Sequence, residues 1–248
     1  EGFCDPGVLP EGTLLTNASG AYGMAISEHL IAMLFMIQKH LGVYRDQQKE
    51  HLWIKQEPML VTEGSTVLVL GLGDIGSTFA RKMKAMGSYV IGVRRTLREK
   101  PDYVDELYTM DALSRLLPRA DVVALSLPGY AATRGVIGKE ELDRMKPGAV
   151  LLNVGRGTAV DTNALSDALY AGKLAGAGLD VTDPEPLPAD HPIWDAPGAL
   201  ITPHVSGGYA LKPTLEKILA LSARNLERYE KGETLENMVD LTTGYAQR

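Results

Sequence analysis

The segment Thr66-Val-Leu-Val-Leu-Gly-Leu-Gly-Asp-Ile-Gly76 joins a short apolar run to the spacing G-x-G-x-x-G. The apolar run predicts a strand, and residues 74–86 predict the helix that follows it. In such a strand–turn–helix unit, Gly71 permits the tight turn, Gly73 lets the main chain approach a pyrophosphate, and Gly76 lets the helix pack closely on the strand. The motif therefore predicts a dinucleotide-binding turn whose phosphates are held by the N–H groups at the helix start. A tight turn without a ligand is the alternative.

The rest of the chain repeats the alternation of short apolar runs with helices. Further strands are predicted at 89–93, 107–108, 121–125, 149–153, 175–179 and 200–201, and further helices at 111–117, 161–170 and 209–232. Strands that are apolar on both faces and alternate with helices predict an α/β fold with a doubly wound parallel sheet. Asp111 is the predicted N-cap of the short helix that it begins. Upstream, residues 22–48 predict one long helix with a wide apolar stripe, buried inside the subunit or against a second one.

Composition excludes several classes of protein. The 248 residues carry a formal charge of −6, are 45% hydrophobic and include one cysteine. This apolar content is ample for a folded core, which excludes disorder as the main state. A single cysteine excludes a disulfide scaffold, and the acidic balance disfavours nucleic-acid binding by bulk charge. No apolar run approaches the roughly 20 residues of a membrane span. The lone cysteine and the lack of a signal-peptide pattern fit a cytoplasmic protein, which is the location that we expect. No metal site is expected, because His29 and His40 are too far apart on one helix and no cysteine pair is present.

The end of the second predicted strand bears on the choice of cofactor. An acidic residue there would bond the ribose 2′-hydroxyl of NAD, but the strand ends with Arg94-Arg95-Thr96. Two guanidinium groups would instead pair with a 2′-phosphate. The sequence therefore predicts a preference for NADP, with NAD still possible. A solvated basic turn is the alternative.

Three polar groups follow three later strands, at the sheet edge where ligands bind in parallel sheets. Arg156 lies in Asn153-Val-Gly-Arg-Gly157, Glu185 lies between Pro184 and Pro186, and His204 lies in Thr202-Pro-His-Val-Ser-Gly-Gly208. Taken singly, they also fit a surface arginine, an acidic loop and a structural histidine. Taken together, a cation, a carboxylate and a histidine beside a nicotinamide predict a hydride-transfer site.

At these residues the chain resembles the D-isomer-specific 2-hydroxyacid dehydrogenases, from about residue 16 to residue 232. The resemblance implies that Arg156 orients and polarises a 2-oxo acid, and that His204 gives a proton to the carbonyl oxygen. It also implies that Glu185 bonds His204 and favours its charged form, and that Asp180 contacts the nicotinamide carboxamide. The catalytic candidates are Arg156, Glu185 and His204. The residues expected to bind the cofactor are Gly71, Gly73, Asp74, Ile75, Gly76, Arg94, Arg95, Thr96, Leu127, Pro128, Val154, Gly155, Asp180 and Gly207.

The same resemblance implies a domain plan, a substrate class and an assembly. Residues 21–208 are expected to form the dinucleotide-binding (Rossmann) domain, and residues 1–20 and 209–248 to be remnants of an incomplete substrate-binding domain. We expect a truncated form of a longer enzyme in preference to a naturally short member. The expected substrate is a small 2-oxo acid such as glyoxylate or hydroxypyruvate, and the expected assembly is a homodimer built on the helix 22–48. The alternatives are a dinucleotide-sensing protein of the corepressor type and a formate- or phosphite-oxidising dehydrogenase.

Overall fold

The computed structural model describes residues 3, 7–209 and 211–241. Its strands are β1 (Thr66–Leu70), β2 (Tyr89–Arg94), β3 (Glu106–Thr109), β4 (Val122–Leu125), β5 (Ala149–Asn153), β6 (Leu174–Leu179) and β7 (Ala199–Ile201). Its α-helices are α1 (Gly23–Gln38), α2 (Leu41–Lys49), α3 (Asp74–Ala85), α4 (Leu113–Leu116), α5 (Lys139–Arg144), α6 (Thr162–Tyr170) and α7 (Lys212–Glu230). No described helix is both long and apolar enough to cross a membrane.

The seven strands form one sheet in the order β3-β2-β1-β4-β5-β6-β7, and every neighbouring pair is parallel. The chain therefore winds outward from β1 in one direction and then from β4 in the other. This confirms the predicted doubly wound sheet. The order reverses between β1 and β4, and a crevice opens at the carboxyl ends of these strands, where doubly wound proteins bind their ligands.

The core lies on both faces of the sheet, as the apolar strands predict. Leu68 and Leu70 of β1 pack into the core layer that contains α4, α5 and α6. Val67 and Val69 pack into the opposite layer with α1 and α3. Alternate residues of a strand point to opposite faces, so a strand covered by helices on both sides must be apolar throughout.

The predicted single helix over residues 22–48 is wrong, because the chain forms two helices there. His40 has a φ of 52°, a left-handed conformation that ends the helical path between α1 and α2. The junction is tied to a later segment, since the His40 ring bonds the carbonyl oxygen of Pro58 at 2.9 Å and Lys39 Nζ donates to that of Leu60 at 2.6 Å. Only α1 packs into the core, whereas α2 has no buried residue.

The predicted N-cap at Asp111 is also wrong. Asp111 lies inside a 3₁₀ turn, Met110–Ala112, that precedes α4. Its carboxylate accepts a hydrogen bond from the Thr109 hydroxyl. The side chain is therefore engaged with the residue before the turn, and α4 begins at Leu113, one residue later than the predicted cap would place it.

The two end segments of the described chain pair with each other. Thr16 and Met238 form an antiparallel bridge, and Val239 N donates to the Leu15 carbonyl oxygen at 2.7 Å.

Helix α7, which follows β7, has an exposed apolar stripe. Its residues Leu215, Leu219, Leu226 and Tyr229 are 40%, 59%, 61% and 65% exposed. The predicted remnants at residues 1, 2, 4–6, 210 and 242–248 lie outside the described residues.

Candidate active site

The glycine turn between β1 and α3 has the form that its sequence predicts. Gly71 has a φ of 95°, which favours glycine, and its N–H bonds the Val93 carbonyl oxygen at 3.0 Å. A Cβ on Gly76 would lie 1.8 Å from the carbonyl oxygen of Gly71, so α3 packs on the turn only because residue 76 has no side chain. A Cβ on Gly73 would meet nothing within 4 Å. Gly76 thus serves packing, whereas Gly73 faces open space.

That open space is a cavity of about 370 Å³ at the crevice. Its lining combines the start of α3 with the loops that follow β4 and β5. The predicted cofactor-binding residues that line it are Gly73, Asp74, Ile75, Leu127, Pro128, Val154 and Gly155, and Arg156 lines it as well. The two loops are in close contact, because a Cβ on Gly155 would lie 2.5 Å from the Leu127 carbonyl oxygen.

A second cavity of about 310 Å³ continues from the same turn towards the end of β2. The two cavities share Ser19, Gly73 and Asp74, and the second is also lined by Arg94. Arg95 and Thr96 are exposed and line neither cavity. The groove thus runs from Arg156, across the start of α3, to a guanidinium at the end of β2. Open space at Gly73 and this two-part groove fit an extended dinucleotide whose phosphates lie at the glycine turn.

The carboxylate of Asp74 is engaged by the start of α1. Its Oδ2 accepts hydrogen bonds from Gly23 N at 2.8 Å and from Tyr22 N at 3.2 Å. These N–H groups belong to the first turn of a helix and have no partner within it. The side chain of Asp74 therefore joins α1 to α3, and its main chain faces the groove.

The predicted catalytic residues follow three neighbouring strands. Arg156 follows β5, Glu185 follows β6 and His204 follows β7. His204 Nδ1 lies 2.5 Å from Glu185 Oε1, and the two side chains are 50% and 41% exposed. Such a pair orients the imidazole and leaves its Nε2 to face another group.

The loop that carries Arg156 packs directly on the loop that leads to Glu185. A Cβ on Gly157 would lie 1.8 Å from the carbonyl oxygen of Thr182, so the two main chains touch. The buried side chain of Asn153 holds the Arg156 loop, because its Nδ2 donates to the Arg156 carbonyl oxygen at 3.0 Å and its Oδ1 accepts from Gly155 N at 3.0 Å. Arg156 Nη1 donates to the carbonyl oxygen of Gly155 at 2.7 Å.

Asp180 is buried at the end of β6, and its carboxylate organises the turn that carries His204. It accepts hydrogen bonds from Thr202 Oγ1 at 2.6 Å, from Val205 N at 2.9 Å and from Ser206 N at 3.0 Å. Burial alone would raise the pKa of Asp180, but the hydrogen bonds from Ser206, Thr202 and Val205 outweigh it and lower the pKa below its usual value. Asp180 is therefore an acceptor-only carboxylate.

Gly207 lies against α1 and not in the groove. A Cβ there would lie 3.0 Å from Ile26 Cδ1, and Gly207 lines neither cavity. Sequence reasoning missed Asn153 and Thr202 as parts of the site, although both are polar residues at strand ends. It also missed His29, whose Nε2 lies 2.9 Å from Thr202 Oγ1. The sequence pattern could have pointed to His29, because it lies one helical turn from Ile26 and from Met33 and therefore next to the buried face of α1.

Comparison with known proteins identifies the family. A family model described as "D-isomer specific 2-hydroxyacid dehydrogenase, NAD binding domain" matches residues 31–206. The chain belongs to this family. It is 32% identical to a hydroxypyruvate reductase of Blautia hydrogenotrophica over 85% of this chain and 67% of that protein. It is 32% identical to a glyoxylate reductase of Korarchaeum cryptofilum over 92% of this chain and 70% of that protein.

A solved structure shares the same fold. The D-isomer specific 2-hydroxyacid dehydrogenase of Xanthobacter autotrophicus Py2, in complex with NADPH and MES, superposes with a TM-score of 0.85 at 30% identity, over 97% of each chain. The expectation of a 2-hydroxyacid dehydrogenase is thereby confirmed. The chain is a hydride-transferring oxidoreductase with a nicotinamide cofactor that acts on small 2-oxo or 2-hydroxy acids, and the comparisons favour this function over dinucleotide sensing.

Substitutions of Gly76 and Gly73 test separately how the turn packs and how the dinucleotide approaches it. We expect Gly76→Ala to destabilise the fold by a few kcal/mol, because its methyl group would overlap the Gly71 carbonyl. We expect Gly73→Ala to leave the melting temperature nearly unchanged but to raise the dinucleotide Kd about tenfold or more, because its methyl group would occupy the approach path of the pyrophosphate. Thermal unfolding and fluorescence titration with NADPH measure the two effects. Unchanged NADPH affinity in Gly73→Ala would contradict the assignment of the groove.

Proposed function

We propose that the protein reduces a small 2-oxo acid, such as glyoxylate or hydroxypyruvate, with NADPH as the preferred hydride donor. The observation that carries this proposal is the His204–Glu185 pair at 2.5 Å, at the same sheet edge as the glycine turn and Arg156. The names of the Blautia and Korarchaeum relatives support these two substrates. A histidine held by a carboxylate next to a dinucleotide groove supports proton donation coupled to hydride transfer.

The proposed division of labour follows from the chemistry of each side chain. The bound nicotinamide supplies a hydride to the carbonyl carbon. Arg156 binds the 2-oxo acid and polarises it, since a guanidinium presents several N–H donors to carboxylate and carbonyl oxygens. His204 in its charged form donates a proton to the carbonyl oxygen, which completes the hydroxyl group. Glu185 accepts the Nδ1–H of His204 and holds the ring in place.

The preference for NADPH rests on the end of β2. Arg94 lines the cavity of about 310 Å³ that continues from the glycine turn, and Arg95 and Thr96 follow it. Asp74, a carboxylate on that lining, is already bonded to the main chain at the start of α1. The lining thus offers a guanidinium to a 2′-phosphate. The NADPH bound to the Xanthobacter relative is consistent with this preference.

We further propose that residues 21–208 form the cofactor domain, and that residues 1–20 and 209–248 belong to a substrate-binding domain. The pairing of residues 15–17 with residues 237–239 supports this grouping, because the two ends of the chain join in one unit. The exposed leucines of α7 support additional protein covering that helix. A cytoplasmic location stays a prediction.

A homodimer is proposed from the apolar surface around α2. Trp53 is 98% exposed, and Leu41, Leu52 and Ile54 are 48%, 50% and 53% exposed. Together with Tyr44 and His51, residues 52–54 also line a cavity of about 600 Å³ that contains none of the predicted site residues. Contiguous apolar surface of this kind marks a protein interface.

The cofactor prediction concerns the two arginines after β2. We expect kcat/KM to be about 10–100-fold higher with NADPH than with NADH, because a hydrogen bond between charged groups contributes about 1.5–3 kcal/mol. Arg94→Gln and Arg95→Gln should each lower the NADPH value and leave the NADH value unchanged. Arg98→Gln, in the same exposed turn, is the matched control. A preference for NADH in the unaltered protein would overturn the NADP proposal.

The proton-donor prediction concerns His204 and Glu185. His204→Ala should reduce turnover by roughly 10²–10⁴-fold, the usual contribution of a general acid. Glu185→Gln keeps the size of the side chain but removes the carboxylate that holds His204 Nδ1, and should lower kcat about tenfold or more because the ring loses its fixed orientation. Glu63→Gln, the same change at an exposed glutamate that precedes β1, is the matched control for Glu185→Gln. An unchanged kcat in Glu185→Gln would count against the pairing.

The assembly prediction concerns the apolar surface around Trp53. Light scattering at micromolar concentration should give the mass of two subunits. Trp53→Ser should shift the distribution towards one subunit, because it removes the most exposed apolar side chain of that surface. A single-subunit mass for the unaltered protein would contradict the homodimer.

A further inference from the structure

A histidine from outside the predicted site reaches the network beneath His204. His29 lies on α1, and its side chain is 23% exposed. Its Nε2 lies 2.9 Å from Thr202 Oγ1 and 3.8 Å from Asp180 Oδ1. None of the roles assigned so far involves this imidazole.

The direction of each hydrogen bond in this network follows from the donor inventory. Asp180 is a buried carboxylate that can only accept, so the single hydroxyl hydrogen of Thr202 is committed to Asp180 Oδ1 at 2.6 Å. Towards His29, the Thr202 oxygen can then act only as an acceptor. The hydrogen of the bond between His29 Nε2 and Thr202 Oγ1 must therefore belong to His29 Nε2. This N–H is present in the neutral Nε2–H tautomer and in the charged ring, so the bond persists in both forms.

At its other end, the network holds the turn that contains His204. The Asp180 carboxylate holds the main-chain N–H groups of Val205 and Ser206, and the Asp180 carbonyl oxygen accepts the His204 N–H at 2.9 Å. His204 itself has a φ of 53°. A left-handed conformation at a residue with a side chain costs on the order of 1 kcal/mol, so hydrogen bonds on both sides of it are needed to keep it.

We propose that His29 is a positioning residue that fixes the His204 turn through Thr202 and Asp180. The chain of contacts is continuous: His29 holds the Thr202 oxygen, Thr202 orients the Asp180 carboxylate, and Asp180 holds the main chain around His204. Without the His29 donor, the Thr202 hydroxyl can rotate and the carboxylate loses a fixed partner. The role proposed for His29 rests on the proposed function, in which His204 donates the proton.

The test compares His29→Met with His29→Gln. The two side chains have similar length, but only glutamine presents an N–H at the position of Nε2. In the full-length protein saturated with NADPH, His29→Met should slow the single-turnover reduction of hydroxypyruvate about tenfold, since small misplacements of catalytic groups have effects of this size. His29→Gln should stay within about threefold of the unaltered protein, and both variants should keep its NADPH Kd within about twofold.

Thr202→Val removes the middle link and should reproduce the loss of His29→Met. The double variant should then be no slower than either single one, because both changes break the same chain of contacts. Equal losses in His29→Met and His29→Gln, additive losses in the double variant, or an unchanged rate in His29→Met would each overturn the proposal.

Amide hydrogen exchange gives a second readout that does not depend on turnover. The N–H groups of Val205 and Ser206 should exchange about tenfold faster in His29→Met and at the unaltered rate in His29→Gln. If the unaltered protein reduces no 2-oxo acid, the proposed function fails, and the exchange rates still decide whether His29 holds this turn. If the protein is active but the exchange of both amides is unchanged in His29→Met, only the inference about His29 fails.

Discussion

One buried carboxylate, Asp180, joins the sheet to the turn that carries His204. Burying a charge is costly unless hydrogen bonds satisfy it, and here Thr202, Val205 and Ser206 all donate to it. Because of these hydrogen bonds, residues 202–206 fold around the carboxylate, and His204 lies in the middle of that segment. The position of His204 therefore depends on the end of β6 as much as on β7, the strand that it follows.

The same sheet edge brings the other parts of the site together through main-chain contact. Gly157 packs on Thr182, and Gly155 packs on Leu127, at distances that exclude any side chain. These contacts fix the loops after β4, β5 and β6 relative to one another. A rigid edge of this kind suits hydride transfer, since the nicotinamide, the substrate carbonyl and the proton donor must meet in one geometry.

Local patterns in the sequence predict most of the fold. The run 149–153 predicts β5 at its observed bounds, and the glycine spacing after residue 70 predicts both the turn and the start of α3. Features that depend on contacts between distant segments are not predictable in this way. The break between α1 and α2 at His40 is accompanied by hydrogen bonds to the carbonyl oxygens of Pro58 and Leu60. The apolar periodicity of residues 22–48 contains no information about these contacts. Strand-end positions point to Arg156, Glu185 and His204, but His29 lies on a helix, and only the folded chain shows that it reaches Thr202.

The central claim is that hydride passes directly from the nicotinamide to carbon 2 of a 2-oxo acid. The most direct measurement supplies hydroxypyruvate with NADPH deuterated at carbon 4, as the 4R and the 4S forms in separate reactions, and follows the product by mass spectrometry. The account predicts glycerate with one deuterium at carbon 2 from one of the two forms and unlabelled glycerate from the other. Unlabelled glycerate from both forms, or oxidation of NADPH without any glycerate, would contradict it.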